Sequence, residues 1–222
     1  MNRELASGES LMADRAYLGL IAALRDGRLA SGQFVSMPTL VELLDLPLAA
    51  TREAVKRADV HGLVQVLPKR GVLVMNASAG VTRDCIDLRA VLDAEGARRL
   101  VTESRPMPLA ELRASHESLM EDALSRMTPE LPRRAVLTDL TLHDALAAGL
   151  ANPIAAEVYA VNRDRIAVVQ NTRPFLPDRI VPAMREHLVI IEALERRDAE
   201  AAVDAIRAHY RSTLRWWGIL EA

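Results

Sequence analysis

The sequence predicts a mainly α chain, with an N-terminal winged helix-turn-helix followed by an all-α antiparallel helical bundle. Three observations point there. Aromatic residues make up only 3% of the chain while Ala, Leu, Arg and Glu are abundant, a balance that favours packed helices over sheets. Apolar residues recur at helical spacing before residue 62 and again after residue 81. Between these stretches, two β-rich runs flank a basic turn. The 222 residues, 50% of them hydrophobic, suffice for one or two cores, and two compact domains fit the pattern better.

The first helix is read over residues 14–26, where Tyr17, Leu18, Ile21, Ala22 and Leu24 share a face and Asp26-Gly27 supplies a stop. Ser36 and Pro38 mark the start of a second, with Leu40, Val41, Leu43 and Leu44 as its apolar face. Pro47 opens a third, LAATREAVKRADVH, which has no breaker until Gly62 and sets Thr51, Val55 and Ala58 along one side. LVQVL and VLVM around Pro68-Lys69-Arg70-Gly71 then read as a β-hairpin. Three helices and a hairpin outline a winged helix-turn-helix, in which the last helix enters the major groove and the hairpin touches the backbone or minor groove.

Asn76-Ala77-Ser78-Ala79-Gly80 is small, polar and flexible, so the boundary falls there. The division is residues 1–77 for the winged domain, 78–81 for the linker and 82–222 for the helical domain. Six helices are expected downstream, near 82–104, 107–127, 131–149, 153–171, 178–196 and 198–217.

Cys85 is the lone cysteine, so it has no disulfide partner in the chain and reads as a small helix residue in a reducing compartment. No apolar run approaches the roughly 20 residues that cross a bilayer, and MNRELASGESLMADR lacks a signal-peptide core. A cytoplasmic protein with no membrane partner is expected. The net charge of −2 and pI near 6.2 do not point to nucleic acid, so that case rests on local arrangement. Arg52, Lys56 and Arg57 lie on the third helix, with Arg52 and Lys56 sharing a face. Lys69 and Arg70 sit at the hairpin tip. A solvated basic face is the alternative, and the helix-hairpin context favours DNA.

ATREAVKRADVHGLVQVLPKRGVLV resembles the helix and wing of the GntR superfamily, V-R-E-A-L-x-x-L-x-x-x-G-L-V followed by a basic, glycine-containing wing. Arg52, Glu53, Ala54, Gly62, Leu63, Val64 and Gly71 fall on that pattern. The resemblance implies double-stranded operator DNA as partner and Thr51, Arg52, Lys56, Arg57, Lys69, Arg70 and Gly71 as the contact set. Pro47-Leu48-Ala49-Ala50 stands where the family has Ser-Arg-Thr-Pro, which removes the family's base-reading arginine. Met37-Pro38 replaces the usual polar pair. Both imply an operator that cannot be borrowed from relatives.

The helical domain holds a second constellation. Asp139 and His143 are four residues apart, so a helix projects both from one face, about 6 Å apart, a spacing suited to one shared ion. His187 and His209, on the fifth and sixth helices, could face inward from a bundle. Each histidine alone also reads as an ordinary structural residue. The other two have bland explanations, His61 at the end of the third helix and His116 on a polar face.

The same arrangement resembles the FadR branch of that superfamily, whose C-terminal FCD domain binds a divalent metal through D-x-x-x-H and two later histidines about 22 residues apart. DLRAVLDAEGARRL and HDALAAGLANPI are similar to two further segments of that domain, with Asp93 for the usual glutamate and Leu142 for the usual aromatic residue. Six helices resemble the VanR-like subgroup.

The resemblance implies a Zn-class ion, with Ni or Mn as alternatives, held by Asp139, His143, His187 and His209. Arg89 matches a pocket-facing arginine that would anchor a small organic acid, its alternative being a surface salt bridge. Asn152, before Pro153, is a ligand contact or simply the helix cap. Trp216 and Trp217 anchor the last helix or an interface. The expected protein is a homodimeric repressor released by its effector. A metal-dependent hydrolase and a regulator with a purely structural metal remain as other readings.

Overall fold

The computed structural model describes residues 2–173 and 175–219, with side chains from Leu11 onward in the first helix. Met1, Pro174 and Leu220 to Ala222, which the domain assignment included, lie outside the described residues. Two compact units are present: residues 1–82 with 163–172, and residues 83–162 with 173–222.

In the first unit, α1 (Asn2–Arg25), α2 (Met37–Leu44) and α3 (Leu48–Val60) are followed by the hairpin β2 (Val64–Leu67) and β3 (Gly71–Val74). The first helix is longer than its apolar pattern predicts, because residues 2–13 are mostly polar and carry no periodic signal. α2 starts where Ser36 accepts from the Thr39 N–H at 3.2 Å, and it stops at Asp45 in a left-handed conformation. A two-residue strand, β1 (Phe34–Val35), was too short to read from sequence. It pairs antiparallel with β3, giving the order β1-β3-β2.

Val64, Val72 and Val74 alternate inward from the sheet onto Leu20, Leu24, Leu40, Ala54, Val55 and Ala58. Asp59 accepts from the Val66 N–H at 3.0 Å, tying α3 to the wing. Gly71 has φ 131°, and a Cβ there would lie 2.7 Å from the Val35 carbonyl oxygen, so only glycine lets β1 and β3 close. Residues 163–172 complete this unit, with Arg165 donating twice to the His61 carbonyl, at 2.6 and 3.1 Å.

The second unit contains α4 (Ala79–Thr102) from residue 83 onward, α5 (Leu109–Ser125), α6 (Leu131–Ala148), the first half of α7 (Pro153–Thr172), α8 (Pro177–Glu195) and α9 (Ala199–Trp216). Ala79 and Gly80, read as linker, already lie in the first turn of α4. Two apolar clusters hold the bundle. One joins Ala97, Leu142, Leu146, Ile190 and Ile206; the other joins Leu119, Leu131, Ile180 and Met184.

Gly96 sets how closely α4 and α6 approach. A methyl there would overlap the Leu146 carbonyl oxygen and meet its carbon at 2.8 Å. No helix among the described residues is long and apolar enough to cross a membrane.

Candidate metal centre and nucleic-acid interface

Five helices converge on one buried cluster. α6 supplies Asp139 and His143, one turn apart on one face, α8 supplies His187 and α9 supplies His209. One ligand atom from each of the four lies within 4.8 Å of all the others. The Nε2 atoms of His143 and His187 stand 3.6 and 3.5 Å from Asp139 Oδ1, and those of His187 and His209 are 3.3 Å apart. All four side chains are buried.

The other ring nitrogen of each histidine is held from outside the cluster. His143 Nδ1 donates to Asp93 Oδ2 at 2.6 Å, and His209 Nδ1 donates to Glu186 Oε2 at 2.7 Å. A donating Nδ1–H leaves the lone pair on Nε2, so both rings aim an acceptor at the centre. His143 Nε2 is fully enclosed and has no hydrogen-bond partner. His187 Nδ1 faces His116 Nε2 at 3.1 Å. Glu186 is braced by Arg179 through two 2.7 Å bonds and by the Ser212 hydroxyl at 2.6 Å. Arg89, one turn before Asp93 on α4, is itself buried and reaches Asp139 Oδ2 at 3.4 Å.

The electrostatics follow from this packing. Burial would raise the Asp139 carboxyl, yet His143, Arg89 and His187 hold it well below the usual carboxylate range. Burial also opposes ionisation of Glu186, but Arg179 and His209 bring it down to about 2. Burial, with His209 nearby, pushes His187 well below its ordinary range, and burial lowers His209 despite Glu186. His143 goes the other way: burial and Arg89 lower it, but Asp93 and Asp139 outweigh them and raise it. The carboxylates thus favour positive charge at the point where the three Nε2 atoms converge on Asp139. Three imidazoles and a carboxylate with an uncompensated acceptor among them are a donor set that fits a divalent cation.

In the first unit, Arg52, Lys56, Lys69 and Arg70 line one groove between α3 and the wing, which Ser36 and Pro38 also border. Arg52 is exposed, and Lys56 carries only an exposed pair with Glu53. Of the other three members of the sequence-derived contact set, Gly71 borders the same groove, while Thr51 and Arg57 are engaged elsewhere. Thr51 is fully buried, its hydroxyl donating to the Pro47 carbonyl at 3.2 Å. Arg57 lies 3.9 Å over the Tyr17 ring and pairs with Asp14 at 3.4 Å, which turns it toward α1. Gly71 shapes the wing as described above.

The FCD domain family matches residues 84–212, more than half of the chain. An HTH-type transcriptional regulator named BphR from Paraburkholderia xenovorans is 24% identical, across 97% of this chain and 90% of the relative. The transcriptional repressor NanR of Salmonella newport is 25% identical, over 85% and 78%. The chain belongs to the FCD-domain branch of the GntR-family transcriptional regulators. A GntR regulator from Rhodococcus sp. RHA1 shares its fold, with a TM-score of 0.75 at 20% identity over 94% of this chain and 99% of the other. The relatives are named as transcriptional regulators, and as a member of this family the chain is a DNA-binding transcriptional regulator.

In this GntR regulator the four sequence-derived ligands and Arg89 come together. Asn152 does not join them: it is exposed, and its Oδ1 accepts from the N–H groups of Ile154 and Ala155 at 3.0 and 3.3 Å, capping α7. Arg89 is no surface salt bridge. His116 corrects the expectation of a polar face, because it is fully buried against His187. The signal was there, since Leu112, His116 and Leu119 share the buried stripe of α5 at helical spacing. Asp93 lies one turn from Arg89 and could have been inferred from that pair. Glu186 carried no signal beyond its adjacency to His187.

Proposed function

We propose that this GntR regulator is a homodimeric repressor whose operator affinity is set by a small organic acid. The acid binds at a divalent metal centre held by Asp139, His143, His187 and His209. The observation carrying this reading is the convergence of one ligand atom from each of the four buried side chains within 4.8 Å, with the enclosed His143 Nε2 making no hydrogen bond there. A Zn-class ion, or Ni or Mn, would supply Lewis acidity with a coordination position left for an oxygen ligand.

Charge supports a carboxylate as the effector. Around the ligands, Asp93, Asp139 and Glu186 are opposed by Arg89 and Arg179, leaving one net negative charge when the histidines are neutral. A divalent ion would reverse this to one positive charge, which a single carboxylate balances. The Arg89 guanidinium would hold the acid as a second anchor.

Arg52, Lys56, Lys69 and Arg70 would contact operator phosphates and groove edges, the paired α3 helices of a dimer reading a two-fold-related site. The repressor named NanR supports the same sign of regulation here. An acid that prefers the DNA-free conformation by about 100-fold shifts the equilibrium by about 2.7 kcal/mol, enough to release DNA.

The test is a DNA fragment selected by the protein from a random pool, followed by fluorescence anisotropy while acetate, succinate and citrate are titrated into Zn-loaded protein. Release by one acid, lost in Arg89→Ala, is the expected result. Operator binding indifferent to every acid, with and without Zn, contradicts the sensor reading.

A further inference from the structure

We infer that His116 is a positioning residue that fixes the tautomer of His187, through a hydrogen-bonded chain anchored on the Leu112 carbonyl. Its functional consequence rests on the metal-centre reading above; the tautomer itself does not.

The argument starts at the outer end of the chain. His116 Nδ1 lies 2.6 Å from the Leu112 carbonyl oxygen, which can only accept, so Nδ1 carries the proton. The Ser115 hydroxyl, 3.4 Å from that nitrogen, offers it no proton because it donates to the same carbonyl at 2.9 Å. The ring is fully buried and neither of its nitrogens meets a carboxylate, only the Leu112 carbonyl, that hydroxyl and the His187 ring, so nothing there supports a charged imidazolium. A neutral ring protonated at Nδ1 presents a lone pair at Nε2. That atom stands 3.1 Å from His187 Nδ1, so His187 must donate from Nδ1, and its own Nε2 is left as a lone pair. The opposite arrangement would set the His116 Nδ1 lone pair against a carbonyl lone pair at 2.6 Å in a fully buried site.

All three ligand histidines thereby present Nε2 acceptors, by two different devices. Carboxylates hold His143 and His209, and a neutral imidazole holds His187. The neutral device orients the third ring without adding another buried negative charge, which would cancel the positive charge that a divalent ion leaves for an acid. His187 is also the ring packed against each of the other three buried imidazoles, with centroids 4.5 to 5.3 Å away. A wrong tautomer there would place an N–H toward His209 Nε2 and block the shared acceptor site.

The experiment uses the full chain, labelled with ¹⁵N-histidine and stripped with a chelator. Nitrogen shifts of His187 are read by NMR, and Zn²⁺ affinity is then measured by competition with a chelating dye. Wild type should show His187 protonated at Nδ1 and unprotonated at Nε2. His116→Phe, which keeps a ring but removes the acceptor, should give mixed tautomers and Zn²⁺ binding about 10–100-fold weaker. His116→Gln restores an acceptor near the Nε2 position and should stay within about threefold of wild type, which a purely space-filling role would not predict.

Metal-free wild type with His187 protonated at Nε2 overturns the inference, whether or not His116→Phe folds. Where wild type binds Zn²⁺, equal affinity in His116→Phe overturns it as well. Wild type that takes up no Zn²⁺, Ni²⁺ or Mn²⁺ but shows Nδ1–H at His187 sinks the metal reading and leaves the positioning role standing.

Discussion

Replacing Gly96 with alanine tests how tightly the geometry of the cluster depends on helix packing. Intrinsic helix propensity predicts stabilisation of about 1 kcal/mol for this change in a helix interior. The structure predicts the opposite. The new methyl would stand 2.8 Å from the Leu146 carbonyl carbon and closer still to its oxygen, where ordinary contact begins at 3.4 Å. α4 and α6 must therefore separate by at least about 0.6 Å, an overpacking strain that costs typically 1–3 kcal/mol.

The same displacement acts on the site, because Arg89 and Asp93 ride on α4 while Asp139 and His143 ride on α6. The 2.6 Å bond from His143 to Asp93 would stretch beyond about 3.2 Å, and the 3.4 Å contact of Arg89 with Asp139 would pass out of hydrogen-bonding range. Thermal unfolding of Gly96→Ala should show a midpoint lower by about 2–4 °C for each kcal/mol lost. Gly80→Ala is the control, since its Cβ meets nothing within 4 Å, and it should be neutral or stabilising. A Gly96→Ala protein as stable as wild type, with unchanged metal affinity, would refute the claim that this contact sets the helix spacing.

Other expectations separate structural from functional residues. Thr51→Val removes a buried hydroxyl bonded to the Pro47 carbonyl and should cost about 0.5–1.5 kcal/mol of stability while leaving DNA affinity within about twofold of wild type, as checked by denaturation and anisotropy. Arg52→Ala and Lys69→Ala should each reduce the slope of log affinity against log salt by about 1, whereas Arg57→Ala, already committed to Tyr17 and Asp14, should change it less. Zn²⁺ added at about 100 times its dissociation constant should stabilise the chain by about 2.7 kcal/mol in a melting experiment, with helical circular dichroism retained after chelation. Collapse of that signal on chelation would favour a purely structural ion.

Much of this was legible in the sequence, because helical periodicity survives any packing. The six helices of the second unit start and stop within about three residues of where caps and apolar spacing placed them. The four-residue step from Asp139 to His143 likewise forces a common face. What periodicity does not encode is which polar residues turn inward once helices meet. Thr51 and Arg57 share the basic helix with Arg52, yet Tyr17 of α1 claims Arg57 and the Pro47 carbonyl claims the buried Thr51 hydroxyl. His116, Asp93 and Glu186 act across helices, through partners 71, 50 and 23 positions away, and no local window contains both ends. β1 was missed because two residues carry no alternation, and its strand pairing depends on a glycine far along the chain.

The central claim is that Asp139, His143, His187 and His209 hold one divalent ion. Elemental analysis of the purified full chain, wild type beside His187→Ala, tests it most directly after both are reconstituted with Zn²⁺, Ni²⁺ and Mn²⁺ and desalted. The account predicts close to one ion per wild-type chain and a loss of most of it in the variant. Wild type that retains no ion, or a His187→Ala protein that retains as much as wild type, would contradict it.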